Sequence, residues 1–420
     1  MYDLIVIGGG PAGLMAAGQA AAYLGGRGPV LLLEKMEKPA RKLRITGKGR
    51  CNVTNDRPRE EFLAKVRQGT DFFRTAFEAF DNRAAIEFVE HELGVPLAHE
   101  RGGRIFPASG RAWDVAEALA AWAVSSGAEI RCHAAVGELT IADNQIQGVM
   151  LESGERLEAR AVVLATGGVS YPTTGSTGDG HEMADAAGHC IEPLRPALVP
   201  LEVAVPGGLK GLMLKNVELS LWVDGAVAER RFGEMEFTAE GIAGGAIVLQ
   251  VSRTAVDALI DGRRVELAVD LKPALSAEKL RNRIGREVEA LGGNATTKVL
   301  LQKLLPAQLR AVIARAAGLS LSKPAGSLSA ADCGRLVCAL KEWRIPVWDY
   351  RPFTEAIVTA GGVDLSEVDP LTLASRRVRG LYFAGELLDI DADTGGYNIQ
   401  IALSTGCRAG RSAVAQTNRK

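Results

Sequence analysis

The hydrophobic pattern at the amino end of the chain predicts a strand, a turn, a helix and a second strand. A short, mainly apolar run over Asp3–Ile7 precedes the glycine-rich turn Gly8–Gly13 and an alanine-rich helix over Leu14–Leu24. A second apolar run covers Val30–Leu33. Fully apolar strands around a crossover helix are typical of parallel sheets, so the pattern predicts an α/β fold of Rossmann type.

The next pattern is helical, followed by alternation of apolar and polar residues. Helical spacing predicts helices near 71–93 and 113–126. Residues Ile130–Arg160 alternate, with turn signals at Asp143-Asn144 and Ser153-Gly154. This pattern predicts a three-stranded β-meander.

The pattern changes after about residue 195. Alternation over Val217–Val223, with a hairpin turn at Asp224-Gly225, predicts half-buried strands. Helical patterns follow at about 276–291, 297–317 and 329–342, with Ser276 and Ser329 as N-caps. The α/β pattern returns at 355.

We therefore predict a nucleotide-binding domain built from both ends of the chain. Its first part is 1–194 and its second part is 355–420. A substrate domain is inserted between them over 195–354, β-rich over 195–272 and helical over 273–345.

Composition narrows the class of protein. The 420 residues are 47% hydrophobic and 24% charged, as in globular proteins and unlike disordered ones. The 48 glycines exceed the typical ~7% without any Gly-x-y period, which indicates many turns or close backbone contacts.

Charge and cysteine content indicate the expected binding partners and cellular compartment. The 49 basic and 50 acidic residues give a net charge of −1, so we do not expect nucleic acid as a partner, although a local patch stays open. No apolar run approaches the ~20 residues of a transmembrane helix, and the first residues lack a signal peptide's basic segment. We expect a cytoplasmic protein without a membrane partner. Free thiols are expected at six scattered cysteines, and the five histidines lack metal-ligand spacing.

The glycine turn carries the first chemical signal. Gly8, Gly10 and Gly13 form a Gly-x-Gly-x-x-Gly pattern between the predicted strand and helix, and Glu34 follows 21 residues after Gly13. Such a turn lets a diphosphate approach the backbone at a helix N-terminus, while the acid accepts the ribose hydroxyls and repels a 2′-phosphate. The alternative is an ordinary glycine turn of an α/β protein.

Two further segments favour FAD over NAD. Five basic residues lie within Arg41–Arg50, either as a second diphosphate contact, as a solvated loop or as an RNA-facing patch. Near the carboxyl end, Tyr382–Glu386 reads as a strand ending in Ala-Gly-acid, and Asp393–Asn398 carries a glycine pair that enters a helix. Amides at such a helix N-terminus suit a flavin's N1–C2=O, where negative charge collects on reduction.

Together these segments resemble the BaiN-type, aminoacetone-oxidase-like FAD flavoproteins, over nearly the whole chain. The motifs that carry the resemblance are Gly8–Gly13, Arg41–Asn55, Ala165–Gly168, Tyr171–Gly180, Thr359–Gly362 and Gly380–Gln400. Thr177–Gly180 is also similar to the wider fumarate-reductase-like flavoproteins. The resemblance implies a glutathione-reductase-type FAD domain with an inserted substrate domain.

The resemblance also implies a set of cofactor-binding residues. Some are expected beside the diphosphate or the adenosine of FAD, some beside its ribityl chain and isoalloxazine ring, and others line the FAD cleft. They are Gly8, Gly10, Ala12, Gly13, Glu34, Lys35, Lys42, Thr46, Gly47, Arg50, Cys51, Asn52, Val136, Thr166, Gly167, Gly385, Glu386, Asp393, Gly396, Tyr397 and Asn398.

The chain departs from the family pattern at two places. Phe237-Thr-Ala239-Glu-Gly241 stands where Phe-Thr-His and then Ser-Gly-Pro are expected, so the substrate is not carried over. Lys48 stands where glycine is commoner. Neither change affects the expectation of FAD.

Catalytic candidates keep alternative roles. Arg104 could hold a carboxylate or an oxyanion, or be a surface residue; Tyr171 could donate a proton or pack beside Pro172. Phe106 and Tyr397 are further candidates for facing the flavin, and Cys51 could be a flavin-side or a buried structural thiol.

The predicted function is that of an FAD-dependent oxidoreductase acting on a small molecule. Either an amine oxidase or an NAD(P)H-linked reductase of a C=C or C=O bond satisfies the motifs, with NAD(P)H as a transient reductant in the second case. The alternatives are an RNA-modifying flavoprotein, specifically one that modifies tRNA, and a flavin-binding regulator without turnover.

Overall fold

A computed structural model describes residues 1–204, 208–238, 241–292 and 295–417. The chain divides into two units. The first comprises Met1–Pro196 and Ile357–Lys420, and the second comprises Ala197–Ala356.

The elements of the described residues are as follows. The strands are β1 Leu4–Ile7, β2 Val30–Leu33, β3 Thr54–Asn55, β4 Leu97–Glu100, β5 Arg104–Pro107, β6 Ala128–Arg131, β7 Val136–Ala142, β8 Gln145–Leu151, β9 Arg156–Glu158, β10 Val162–Leu164, β11 Ile191–Ala197, β12 Leu201–Val203, β13 Met213–Val223, β14 Ala226–Phe237, β15 Ile242–Gly244, β16 Val265–Asp270, β17 Trp343–Tyr350, β18 Val358–Val363 and β19 Leu381–Phe383. The helices are α1 Pro11–Leu24, α2 Arg41–Gly49, α3 Arg59–Leu63, α4 Thr70–Ala79, α5 Asn82–Glu87, α6 Ala112–Ser125, α7 Asp179–Ala186, α8 Ala246–Ile260, α9 Ala277–Leu291, α10 Thr297–Gln302, α11 Ala307–Ala316, α12 Ala330–Lys341 and α13 Tyr397–Thr417.

A five-stranded parallel sheet forms the centre of the first unit. Its order is β19-β10-β1-β2-β6, and every residue of β1, β2, β10 and β19 is buried. Strands covered on both faces must be apolar throughout, which explains the uninterrupted apolar runs. The chain proceeds from β1 to β2 on one side and returns to β10 on the other, so the prediction of a Rossmann-type fold is confirmed.

Small residues bring two long helices together against this sheet. A Cβ at Gly406 of α13 would overlap the carbonyl oxygen of Ala12 on α1, and one at Gly410 would overlap that of Ala16. Both helices contribute buried alanines to the same core. The carboxyl-terminal helix is thereby held at the beginning of α1.

The predicted meander forms, but it starts later than expected. β7, β8 and β9 pair as an antiparallel sheet, whereas Ala128–Arg131 is the edge strand β6 of the parallel sheet. An edge strand is covered unevenly, and here Ala128 is buried while Glu129 is exposed. Its sequence therefore alternates as an antiparallel strand's does, and the prediction that the meander begins at Ile130 is wrong.

The second unit contains a closed barrel with the strand order β12-β15-β14-β13-β16-β17. Ser276 and Ser329 are confirmed as N-caps, since their hydroxyls accept the amides of Lys279 and Asp332 at 3.2 and 3.1 Å. The predicted helix 297–317 is two helices, because Pro306 separates α10 from α11. Ala239 and Glu240, where the chain departs from its family's pattern, lie outside the described residues.

Candidate functional site

Three strands of the parallel sheet end at the same level. Ile7 of β1 is in register with Leu164 of β10, which is in register with Phe383 of β19. The segments that follow are Gly8–Gly13, Ala165–Gly168 and Ala384–Glu386. The carboxyl edge of a parallel sheet, where the strand order reverses, is the usual ligand site of such folds. The fold therefore brings three of the predicted cofactor segments to one edge.

The glycines of the first turn meet different demands. Gly8 has φ +103°, and a Cβ there would lie 2.6 Å from the carbonyl oxygen of Ala165. A Cβ at Gly13 would overlap the oxygen of Gly8, whereas one at Gly10 would meet nothing described within 4 Å. Gly10 is the N-cap of α1 and supplies no side-chain cap, and the first amides of a helix have no intrahelical partner. A helix N-terminus of this kind has the geometry that the predicted diphosphate contact requires.

The last segment touches the first at the beginning of α1. Gly385 has φ +77°, and a Cβ there would lie 2.8 Å from that of Ala12. Its amide donates to Thr405 Oγ1 at 2.9 Å. A Cβ at Gly396 would overlap the carbonyl oxygen of Thr54, so the glycine pair before α13 packs against β3.

Glu34 braces the glycine turn. Its carboxylate accepts the amides of Gly9 and Met36, both at 2.8 Å. Its own carbonyl accepts the amide of Ala134 at 3.0 Å, just before Val136 begins β7. The predicted ribose ligand therefore lies at the expected end of β2, and one oxygen of its carboxylate already binds the turn.

Lys35 connects this region to the segment before α7. Its Nζ lies 2.5 Å from Asp179 Oδ2 and also donates to Thr177. Burial opposes ionisation of Asp179, but its bonds to Lys35 and Thr177 outweigh this and lower the carboxyl pKa. Lys35 thus fixes the Thr177–Gly180 motif beside the end of β2.

A polar cluster joins the second and last segments. Lys42 Nζ donates to Glu386 Oε2 at 2.8 Å and to Ser170 Oγ at 2.7 Å. Glu386 Oε1 also accepts the amide of Thr359 at 2.7 Å and the Ser170 hydroxyl at 2.9 Å. We call Lys42, Ser170, Thr359 and Glu386 the Lys42 cluster. Sequence reasoning did not assign Ser170 or Thr359 to the site, although Ser170 adjoins the Tyr171–Gly180 motif and Thr359 begins the Thr359–Gly362 motif.

The segment between α2 and β3 has unusual backbone geometry. α2 loses helical geometry at Thr46, and Gly47 and Lys48 follow with positive φ. Cys51 also has φ +58° and is fully buried, which raises its thiol pKa to about 12. A thiol held protonated in this way favours the structural alternative over a reactive one. Asn52 follows it.

The basic run Arg41–Arg50 is largely neutralised. Arg41 pairs with Glu37, and Arg44 with Glu117, each at 2.8 Å. Lys42 pairs with Glu386, and Arg50 with Glu100. Four of the five cations therefore have carboxylate partners, which disfavours an RNA-facing patch in this segment.

Three predicted cofactor residues near the carboxyl end have structural partners. Asp393 accepts from Arg67 Nε at 2.6 Å. The Asn398 side chain bonds both the amide and the carbonyl of Ala392, at 3.0 and 2.9 Å. Tyr397 is 3% exposed, with its ring 4.8 Å from that of Phe62, and burial raises its phenol pKa. These side chains shape the loop before α13.

The two catalytic candidates differ in their settings. Arg104 begins β5 with its side chain about half exposed, 3.9 Å from Glu100. Tyr171 has φ +52° and ψ +60°, a costly conformation for a bulky residue, and directly follows buried Ser170 of the Lys42 cluster. Phe106 lies under the guanidinium of Arg50 at 4.3 Å.

The residues present fit a dinucleotide such as FAD. Within the described parts of the chain, Asn52 Oδ1 and Thr166 Oγ1 are buried without a hydrogen-bond partner. Both belong to predicted cofactor segments, and Gly167 with φ +78° follows Thr166. Buried polar groups without partners are rare, and a polar ligand would satisfy them. The space beside Gly10, where an added Cβ would meet no described atom within 4 Å, leaves room for a diphosphate.

Two other kinds of feature are absent from the same residues. In the part of the chain that the structure describes, no helix is long and apolar enough to span a bilayer. Nor do three His, Cys, Asp or Glu side chains of those residues gather as a metal would require.

Comparison with known proteins identifies the family. The family model of the HI0933-like protein Rossmann domain matches residues 2–412. The chain therefore belongs to the HI0933-like family of FAD-binding Rossmann proteins, which confirms the predicted BaiN-type resemblance. It is an enzyme of the flavoprotein oxidoreductase class.

Individual relatives match over almost their whole length. The chain is 34% identical to the 3-dehydro-bile acid delta(4,6)-reductase of Clostridium scindens, covering 98% of this chain and 99% of the relative. It is 28% identical to the ribosomal RNA dihydrouridine synthase of Escherichia coli, covering 99% and 98%. Among solved structures, the 3-ketosteroid delta1-dehydrogenase of Sterolibacterium denitrificans has the same fold, with a TM-score of 0.54, 15% identity and 99% of each chain covered.

Proposed function

We propose that this protein reduces a C=C bond conjugated with a carbonyl group in a small molecule, with FAD as its cofactor. The observation that carries the proposal is the chemistry shared by two full-length relatives. One is named as a delta(4,6)-reductase of a 3-dehydro bile acid, and the other makes dihydrouridine. In both names the reduced double bond is conjugated with a carbonyl.

The residues proposed to hold FAD lie along the carboxyl edge of the parallel sheet. The amides of the Gly8–Gly13 turn would bind the diphosphate, and Glu34 the adenosine ribose. The unpartnered oxygens of Asn52 and Thr166 and the Lys42 cluster would contribute further polar contacts. When bound, FAD supplies hydride chemistry that amino-acid side chains lack.

The chain's own part is to orient the substrate and manage charge and protons. Reduction of a conjugated C=C bond places negative charge on the carbonyl oxygen, which a nearby donor stabilises. We assign this role to Tyr171, because its strained backbone follows Ser170 and is thereby anchored to the Lys42 cluster. Arg104 is the second candidate donor, and its exposed guanidinium suits a carboxylate on the substrate.

A second candidate substrate is a uracil base within RNA. The name of the Escherichia coli relative favours it, as does the net positive charge of the helical segment 271–341. The electron donor is proposed to be NADH or NADPH, since a reductase needs an external reductant.

The direction of the reaction is tested by the reductive half-reaction. Bound flavin is mixed anaerobically with NADH, NADPH or a panel of primary amines, and its absorbance near 450 nm is followed. Bleaching by a nicotinamide nucleotide and not by amines is the expected result. Bleaching by amines alone, with rapid reoxidation in air, would establish an amine oxidase and refute the proposal.

A further inference from the structure

The near-zero net charge of the chain conceals a strong local imbalance. Residues 271–341 contain twelve basic and four acidic residues, a net charge of +8, whereas the whole chain carries −1. This segment contains α9 to α12 and belongs to the second unit. The remainder of the chain is correspondingly acidic.

Part of this excess lies on one face of α9. Lys279, Arg283 and Arg286 are spaced i, i+4 and i+7, which places them on one side of the helix. Lys279 and Arg286 are exposed, whereas Leu280 and Ile284 are the buried positions of the same helix.

The cations continue onto the neighbouring helices. Arg283 Nη2 donates to the carbonyl of Lys303, the C-cap residue of α10, at 3.4 Å. Arg310 of α11 donates to the carbonyl of Leu305 at 3.2 Å. Two guanidinium groups therefore flank the short segment 303–305. We call Lys279, Arg283, Arg286, Lys303 and Arg310 the α9–α11 basic surface.

These cations are not neutralised by the residues around them. Among the described residues, none of the five forms an ion pair with a carboxylate, whereas Lys323 and Arg335 nearby both pair with Asp332. Burial lowers the pKa of Lys272, and the positive charge of Arg283 lowers it further. The five charges are therefore unpaired among the described residues and give this surface a local positive field.

An apolar partner does not suit this surface. The exposed large hydrophobic side chains of the described residues all lie outside 271–341. Those of the same unit are Met213, Val227, Phe232, Ile260 and Trp348. A membrane-inserting or protein-docking face would present apolar anchors. Guanidinium and ammonium groups without apolar neighbours instead match the regularly charged phosphate backbone of a nucleic acid.

We propose that the α9–α11 basic surface binds the phosphate backbone of RNA. The inference rests on the second candidate of the proposed function, reduction of a uracil base in RNA, and gives that substrate a docking surface. RNA is favoured over DNA because two relatives, each 28% identical over at least 96% of both chains, are named ribosomal RNA dihydrouridine synthases.

The test measures binding of the flavin-loaded protein to a fluorescently labelled, uridine-containing RNA hairpin. Fluorescence anisotropy is recorded over a series of salt concentrations for the wild type and for the triple variant K279Q/R283Q/R286Q. The variant is expected to bind at least tenfold more weakly at low salt. The slope of log affinity against log salt should become shallower by about two to three, about one for each phosphate that the variant no longer neutralises.

A matched control removes three arginines of the same unit that already have carboxylate partners. Arg263 pairs with Asp224, and Arg264 and Arg344 both pair with Glu266. The variant R263Q/R264Q/R344Q changes the net charge equally and should keep wild-type affinity within about twofold. Thermal melting and flavin absorbance verify that both variants remain folded.

Three outcomes would overturn the proposal. They are equal weakening of RNA binding in both triple variants, no RNA binding by the wild type at 150 mM salt, and binding to phosphatidylglycerol vesicles but not to RNA. Turnover of a small enone separates this inference from the proposed function. A triple variant that no longer binds RNA but keeps enone reduction supports both, whereas RNA binding without reduction of an enone or of the RNA refutes only the reductase proposal.

Discussion

At the scale of single residues, Gly10 and Gly13 differ in whether the packing of the fold requires a glycine there. A Cβ at Gly13 would overlap the backbone of Gly8, whereas a Cβ at Gly10 would enter open space. The sequence pattern treats the two glycines alike. The structure shows that only one of them is needed for packing of the described residues.

The first prediction uses this difference. Gly10→Ala should change the unfolding free energy of the flavin-free protein by less than about 1 kcal/mol, because nothing described is displaced. Its flavin content should nevertheless fall at least tenfold. Gly13→Ala should lower the unfolding free energy by at least ~1–3 kcal/mol, because backbone must move. Urea unfolding of the stripped proteins and the ratio of 450 nm to 280 nm absorbance provide the measurements. If Gly10→Ala keeps its full flavin content, the assignment of the diphosphate to this turn is wrong.

The positions of the glycine turn and of Glu34 in the fold were predicted correctly, because that signal is local. Glycine spacing and the distance to Glu34 are set by one strand-helix-strand unit, so they could be read directly. The partners of the basic run could not be read, because Lys42 meets Glu386 from 344 residues away. For the same reason the cluster residues Ser170 and Thr359 were missed.

At the scale of elements, the contact between α1 and α13 determines where the last cofactor segment lies. Gly406 and Gly410 allow the two helices to approach until backbone meets backbone. Gly385 reaches Ala12 within the same arrangement. The helix contact therefore supports the convergence of the segments at the start of α1.

The second prediction compares two glycines in helices. Gly406→Ala should lower the unfolding free energy by about 1–3 kcal/mol through overlap with Ala12. Gly285→Ala in α9 meets nothing described within 4 Å and should raise it by about 0.5–1 kcal/mol, because alanine favours a helix. Chemical denaturation of both variants measures the two effects. A stability change of the same sign in both would contradict the packing argument.

Element boundaries show why part of the fold was predicted wrongly. Ala128–Arg131 alternates because it is an edge strand, and alternation alone does not distinguish an edge of a parallel sheet from a meander. The caps at Ser276 and Ser329 were predicted correctly because capping depends on the next three residues only.

At the scale of the whole molecule, two buried histidines connect stability to pH. Burial lowers the pKa of both His181 and His189, so each is held neutral in the folded protein. In the unfolded chain a histidine titrates near pH 6.5. Below that pH the unfolded state binds protons that the folded state does not, and stability falls.

The third prediction follows from this sign. Between pH 6.5 and 5, the unfolding free energy should decrease by up to about 1.4 kcal/mol per pH unit for each buried histidine. His181→Gln should reduce that slope by the contribution of one histidine, up to about 1.4 kcal/mol per pH unit. The control His91→Gln, at an exposed position, should leave the slope unchanged. Urea titrations at several pH values measure the slopes. Identical slopes in the wild type and His181→Gln would refute the assignment.

The distribution of charge is also a property of the whole chain that its total conceals. A net charge of −1 led to the expectation of no nucleic-acid partner, yet residues 271–341 alone carry +8. The excess becomes visible when basic and acidic residues are counted separately for each segment of the chain. Only the structure shows which of these cations form ion pairs among the described residues and which do not.

The central claim, reduction of a conjugated C=C bond, is tested most directly by the oxidative half-reaction. Photoreduced protein is mixed without oxygen with a 3-oxo-4-ene steroid, and the 450 nm absorbance and the product mass are recorded. We predict that the absorbance returns and that the product is two hydrogens heavier, while the corresponding saturated ketone leaves the flavin reduced. Flavin that stays reduced with the enone and with uridine-containing RNA, yet reoxidises in air, would contradict the account.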